Sequence, residues 1–208
     1  MAKPEGADKV SEGVEPLTKI TAARRQLATA IVLHFEDRDA VSVHTLAHAA
    51  AEVANTLCRH RGIEPYFDRH HKRLFVGKTD REIKDAFSRS RNFMKHADRD
   101  SEAVLESFSE ADNDYVIFMA CFDMALLDDF EVNEFLAYYL WFVSVFISDA
   151  WNMISGLLPK WITPIQRSRS DHKASGLEMI SMLERDPDVR RGIVEGVKLI
   201  LARSVADD

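Results

Sequence analysis

Phe135-Leu136-Ala137-Tyr138-Tyr139-Leu140-Trp141-Phe142-Val143-Ser144-Val145-Phe146-Ile147 runs for 13 residues without a charge and is closed by Ser148-Asp149. A membrane-spanning helix needs about 20 apolar residues. The run therefore reads as a helix buried in a core or a dimer interface, within a longer helix over about Val132 to Leu158 that Pro159 ends. Just upstream, Tyr115-Val116-Ile117-Phe118-Met119-Ala120-Cys121-Phe122 is apolar almost all round and belongs to a helix expected from about Asn113 to Asp128. Two helices of this kind need neighbours on most of their circumference, and those neighbours must come from the flanking sequence or from a second copy.

Toward the N-terminus the same helical period recurs. Ile20, Ala23, Leu27, Ile31 and His34/Phe35 mark a helix over about Leu17 to Glu36. His34 sits on that apolar stripe, where a hydrogen-bonded core or interface histidine is expected. After the turn Asp37-Arg38-Asp39, a second helix over about Ala40 to His60 carries Val43, Leu46, Ala47, Ala50, Val53 and Leu57, an alanine-rich stripe that lets a neighbour approach closely. Gly62 to Lys78 reads as a connection punctuated by Gly62, Pro65 and Gly77. Thr79 with Glu82 three residues later is a capping box, opening a helix to about Ala97 whose inward stripe is Ile83, Phe87, Ser90, Met94 and Ala97. Beyond Pro159, a loop from Trp161 to Ser170 leads to a helix near Asp171 to Glu184. A last helix is started by Asp186-Pro187-Asp188, an N-cap followed by proline at the first helical position.

No strand-like alternation, Gly-rich phosphate loop or internal repeat is present. The chain is expected to be all-α, a helical bundle of about six to seven helices forming one domain over residues 17–208 and closing an apolar face by homodimerisation. Residues 1–16, with three glutamates, two prolines and two glycines, are expected to be a flexible tail. They lack the apolar stretch of a signal peptide, so the cytoplasm is the expected location.

Composition narrows the chemistry. Cys58 and Cys121 are the only cysteines, too few for a disulfide framework or a thiolate zinc site. The net charge of −7 argues against a generic nucleic-acid binder. The charge is uneven, however: residues 59–99 hold 12 of the 27 Lys/Arg and 6 of the 34 Asp/Glu, so the block is +6 and the remainder, with 15 bases and 28 acids, is −13. A local polyanion site, RNA being the candidate, is compatible with that asymmetry, as is a solvated helix face. His44, His48 and Glu52 recur every four residues on the flank of the second helix. Two such histidines can hold a transition metal if another helix supplies a further ligand, but no E-x-x-H partner accompanies them. A polar edge is the simpler expectation, and no cofactor is implied.

The strongest concentration of chemistry is Arg89-Ser90-Arg91-Asn92-Phe93-Met94-Lys95-His96. Histidines ordinarily titrate near neutrality and can pass a proton, while an arginine offers charge and forked donors to phosphate oxygens. Asn92, four residues before His96, shares its helical face. At about 100° per residue, Arg89 lies only about 20° round the helix from His96, whereas Arg91 lies about 140° away.

Arg91-Asn92-x3-His96 resembles the R-[polar]-x3-H signature of HEPN domains, small all-helical dimers, many of them metal-independent endoribonucleases of bacterial toxin and defence systems. The resemblance implies that Arg91, Asn92 and His96 of two protomers meet at a dimer interface and cleave RNA to a cyclic phosphate. Geometry adds Arg89 to that set. The longer string Asn92-Phe93-Met94-Lys95-His96-Ala97-Asp98-Arg99-Asp100 is also similar to one in uncharacterised bacterial proteins, a likeness that carries no function. The alternative is a non-catalytic helical homodimer acting as an interaction or accessory protein.

Overall fold

The computed structural model describes residues 16–74, 77–98, 100–128, 130, 132–146 and 169–206. The expected tail, the continuation of the long apolar helix to Leu158 and most of the loop after Pro159 lie outside these residues. What is described is all-helical: α1 (Lys19–Phe35), α2 (Ala40–His60), α3 (Tyr66–Leu74), α4 (Asp80–Lys95), α5 (Asp112–Asp128), α6 (Asn133–Phe146), α7 (Arg169–Arg185) and α8 (Pro187–Ala206). Eight helices among the described residues replace the expected six to seven. The addition is α3, inside the stretch read as a connection. Its sequence Tyr-Phe-Asp-Arg-His-His-Lys-Arg-Leu is so polar that composition masked a helix resting on α5.

The helix ends follow local chemistry. Thr18 Oγ1 accepts the Thr21 amide at 3.1 Å to start α1, and Asp39 Oδ2 accepts the Ser42 amide at 2.8 Å to start α2. Between them Asp37 adopts φ 57°, which reverses the chain so that α2 returns along α1. Ala23, Ala30, Ala47, Ala50 and Ala54 are fully buried, and their small side chains permit that close pairing. The α4 capping box forms as expected: Glu82 Oε2 accepts the Thr79 amide at 2.8 Å and Thr79 Oγ1 accepts the Glu82 amide at 3.3 Å. Asp186 Oδ1 accepts the Val189 amide at 3.0 Å, with Pro187 in the first turn of α8.

Helices α1, α2, α5 and α6 make the core, α7 lies across α1 and α6, and α8 follows α7. On the opposite side α3 and α4 rest on α5 and α2. Every residue of α6 from Phe135 to Val143 is buried within one protomer. The apolar circumference that raised the expectation of a dimer is thus taken up largely by the chain's own helices. Rings organise this core: Phe118 stacks on Phe142 with centroids 4.1 Å apart, and Phe35 stacks on Tyr138 at 5.4 Å. Among the described residues no helix is long and apolar enough to cross a membrane.

Candidate functional site at the end of α4

Helix α4 is held against α2 by charge. Glu52 of α2 receives Arg91 Nη1 at 2.9 Å and Lys95 Nζ at 2.7 Å, and its carboxyl is lowered from its ordinary value, with the Lys95 hydrogen bond the largest cause. These pairs fix the rotation of α4 and therefore which residues face away from α2. Helical geometry stops at Lys95. His96 is the C-cap, extended at φ −129° and ψ 123°, and its amide still donates to the Asn92 carbonyl at 3.0 Å. The helix is thus shorter than the expected boundary near Ala97, and His96 leaves it at the point where the chain turns away.

Arg89, Asn92 and His96 line one open hollow together with Phe93, Asp98 and Val104. All three polar candidates are exposed, and neither Arg89 nor His96 makes a side-chain hydrogen bond or ion pair among the described residues. Arg91 goes elsewhere: it faces the α2 side, pairs with Glu52, and lines a separate cavity between α2 and α5. Among the described residues its link to the hollow is Nε, which donates to Asn92 Oδ1 at 3.4 Å. Arg89, Asn92 and His96 therefore come together within one chain, and Arg91 reaches them only through Asn92.

The basic block is less bare than its sequence suggests. Within it Arg59 pairs with Asp68 and Arg69 with Glu64, while Arg91 and Lys95 share Glu52. Among the described residues of this stretch, Arg89 is the arginine that lines the hollow, with no ion pair of its own.

His44 and His48 are not the polar edge expected from their spacing, for both are buried. Asn113 Nδ2 donates to the Ala40 carbonyl at 3.0 Å, which turns Asn113 Oδ1 toward His44 Nδ1 at 2.7 Å. The His44 ring must donate from Nδ1, leaving Nε2 as a buried lone pair without a partner. His48 packs on His44 with ring centroids 4.3 Å apart, and burial holds its pKa down at about 3. Among the described residues no group of three or more His, Cys, Asp or Glu side chains is placed to hold a metal ion.

His34 is a core histidine, edge-on to Tyr138 and Trp141. Its Nε2 is 3.5 Å from Asp114 Oδ1 without a hydrogen bond. Burial, then Lys173 and Arg169, lowers its pKa to about 3, so the ring is neutral and the contact is not an ion pair. Two carboxylates escaped the sequence reading, Asp114 and Asp123. Asp123 is an acid inside an apolar run, which is the signal that could have found it, whereas Asp114 sits in the polar first turn of α5 and carries no such mark.

No protein-family model, curated protein or solved structure matches this chain.

Proposed function

We propose that the chain is a HEPN-like, metal-independent endoribonuclease of the bacterial toxin or defence type, with its site in the hollow at the end of α4. What carries the reading is the convergence of Arg89, Asn92 and His96 on one open surface. In the proposed reaction His96 takes the proton of a ribose 2′-hydroxyl, whose oxygen attacks the adjacent phosphorus. The 5′-oxygen leaves and is protonated in turn, and a 2′,3′-cyclic phosphate remains. Arg89 binds the non-bridging oxygens as their charge grows. Asn92 orients the ribose or the imidazole, and Arg91, through Asn92, is a positioning residue. A homodimer would bring a second His96 to the same phosphodiester as the acid. Asp98 and Asp100 line the hollow too. Their charge works against a phosphate, so Asp100→Asn is expected to tighten RNA binding.

The test is cleavage of bulk RNA by the purified chain in excess chelator. Cleavage by the wild type, a loss of roughly 10²- to 10⁴-fold in His96→Ala, and a greater loss in Arg89→Ala than in Arg91→Ala are expected. Equal activity in wild type and His96→Ala, or none in the wild type, sinks the reading.

The second reading, a non-catalytic homodimeric interaction protein, is favoured by Phe93 and Val104. They are 38% and 78% exposed on the wall of the same hollow. It predicts a concentration-dependent dimer that Phe93→Ser weakens, with RNA left intact.

A further inference from the structure

Between α2, α3, α4 and α5 lies a second cavity of about 360 Å³, separate from the hollow that holds His96. Its floor is apolar, made by Val116, Met119 and Ala120, and its polar wall contains two side chains that are almost wholly enclosed. Asp123, 3% exposed, uses Oδ1 to accept the Tyr66 amide at 2.8 Å, and no basic side chain pairs with it among the described residues. The His48 ring, on a residue 7% exposed, makes no hydrogen bond among them.

A buried carboxylate without a cation is costly unless it is protonated or a counter-ion arrives. The nearby guanidinium groups are already engaged. Arg59 gives both Nε and Nη2 to Asp68 Oδ2, and Arg91 gives Nη1 to Glu52. Three acids line the cavity: Glu52 is paired with Arg91 and with Lys95, Asp68 is paired with Arg59, and Asp123 is the one with no basic partner among the described residues. An anion would have to settle beside it with no free donor of positive charge.

We propose that this cavity binds a small organic cation, an ammonium or guanidinium group on a short apolar stem, with Asp123 as its counter-ion and His48 as a neutral hydrogen-bond partner. The stem lies on Val116, Met119 and Ala120, and the head meets the free oxygen of Asp123. The volume of about 360 Å³ suits a small molecule. Burial raises the Asp123 carboxyl to about 6, so at pH 7.5 it is ionised and able to serve as a counter-ion. The inference is independent of the ribonuclease reading, since it concerns another cavity and needs no RNA.

The test follows backbone amide resonances of the full chain at pH 7.5 while n-butylammonium, agmatine, butanol or butyrate is added. The Tyr66 amide is the reporter, because it donates to Asp123. It is expected to shift with the two cations and not with butanol or butyrate. In Asp123→Asn, where the amide oxygen can still accept from Tyr66, cation affinity is expected to fall by roughly tenfold or more. A response to butanol equal to that with butylammonium, or no Tyr66 shift with either cation, overturns the proposal on the wild-type chain alone. Unchanged cation affinity in a folded Asp123→Asn overturns it as well.

Discussion

The buried titratable residues give this protein a pH response that can be signed residue by residue. His34 and His48 are held at about 3 against an ordinary 6.5. As the pH falls below 6.5 the unfolded chain takes protons that the folded chain refuses. Their stabilising contribution, complete above 6.5, is lost progressively toward 3. Asp123 has the opposite sign. With a folded pKa of about 6 against 3.8, its contribution is complete below 3.8 and is lost as the pH rises through 6. Urea unfolding at pH 7.5 and 5 should therefore show a lower midpoint at the acid pH for the wild type, and a smaller drop for His48→Gln. Asp123→Asn should be the more stable protein at pH 7.5 by up to about 3 kcal/mol, and its drop on acidification should be steeper. A flat wild-type profile would contradict the burial of both histidines. The burial of His34 was legible from its place on the apolar stripe of α1, whereas that of His48 and Asp123 was not. The four-residue spacing of His44, His48 and Glu52 places them on one flank of α2, but nothing in α2 says that Phe108, Asn113 and Arg91 close over it.

Single elements carry their own tests. Helix α7 approaches α1 closely at Gly176, where an added Cβ would overlap the Phe35 ring. Phe35 cannot step aside, because Tyr138 and Trp141 enclose it. Gly176→Ala should cost about 1–3 kcal/mol, read as a lower thermal midpoint. A neutral result would mean that α7 shifts freely on α1. At α4, Thr79→Ala removes the capping oxygen and should cost about 0.5–2 kcal/mol, with the early amides of α4 exchanging faster and those of α1 unchanged. The capping box was readable because its information is local, two residues three apart. The proline-led start of α8 was readable for the same reason. Helix α3 was not. Its support is tertiary: Tyr66 meets the rings of Phe118 and Phe122, and its amide bonds Asp123, all contacts more than 50 positions along the chain. Similarly, the rotation that separates Arg91 from Arg89 agrees with helical periodicity, while the agent that fixes it, Glu52, lies on another helix.

At the scale of the molecule, α7 is fastened to the core by ions as well as by packing. Arg169 clasps Asp114 with two bonds of 2.7 Å, the buried Lys173 reaches Asp37 on the α1–α2 turn, and Trp141 Nε1 donates to the His172 carbonyl at 2.6 Å. Asp114 is fully enclosed while Arg169 keeps part of its surface in water. Arg169→Ala would leave a buried carboxylate alone and should cost about 3 kcal/mol. Replacing both partners, Asp114→Leu with Arg169→Met, should cost much less. A double-mutant cycle by chemical denaturation measures the difference, and additive losses would show that the clasp contributes nothing beyond its separate parts. The bundle class was readable from α5 and α6 alone, whereas this fastening joins residues 55 positions apart and leaves no local trace. The same pair also constrains descent. A lineage that changes Asp114 first, or Arg169 first, passes through a chain weakened by a substantial part of the roughly 5–15 kcal/mol of stability a domain possesses. The two positions should therefore be inherited as a unit, drifting together or not at all, and a census of descendants should find Asp with Arg, or two apolar residues, and rarely one without the other.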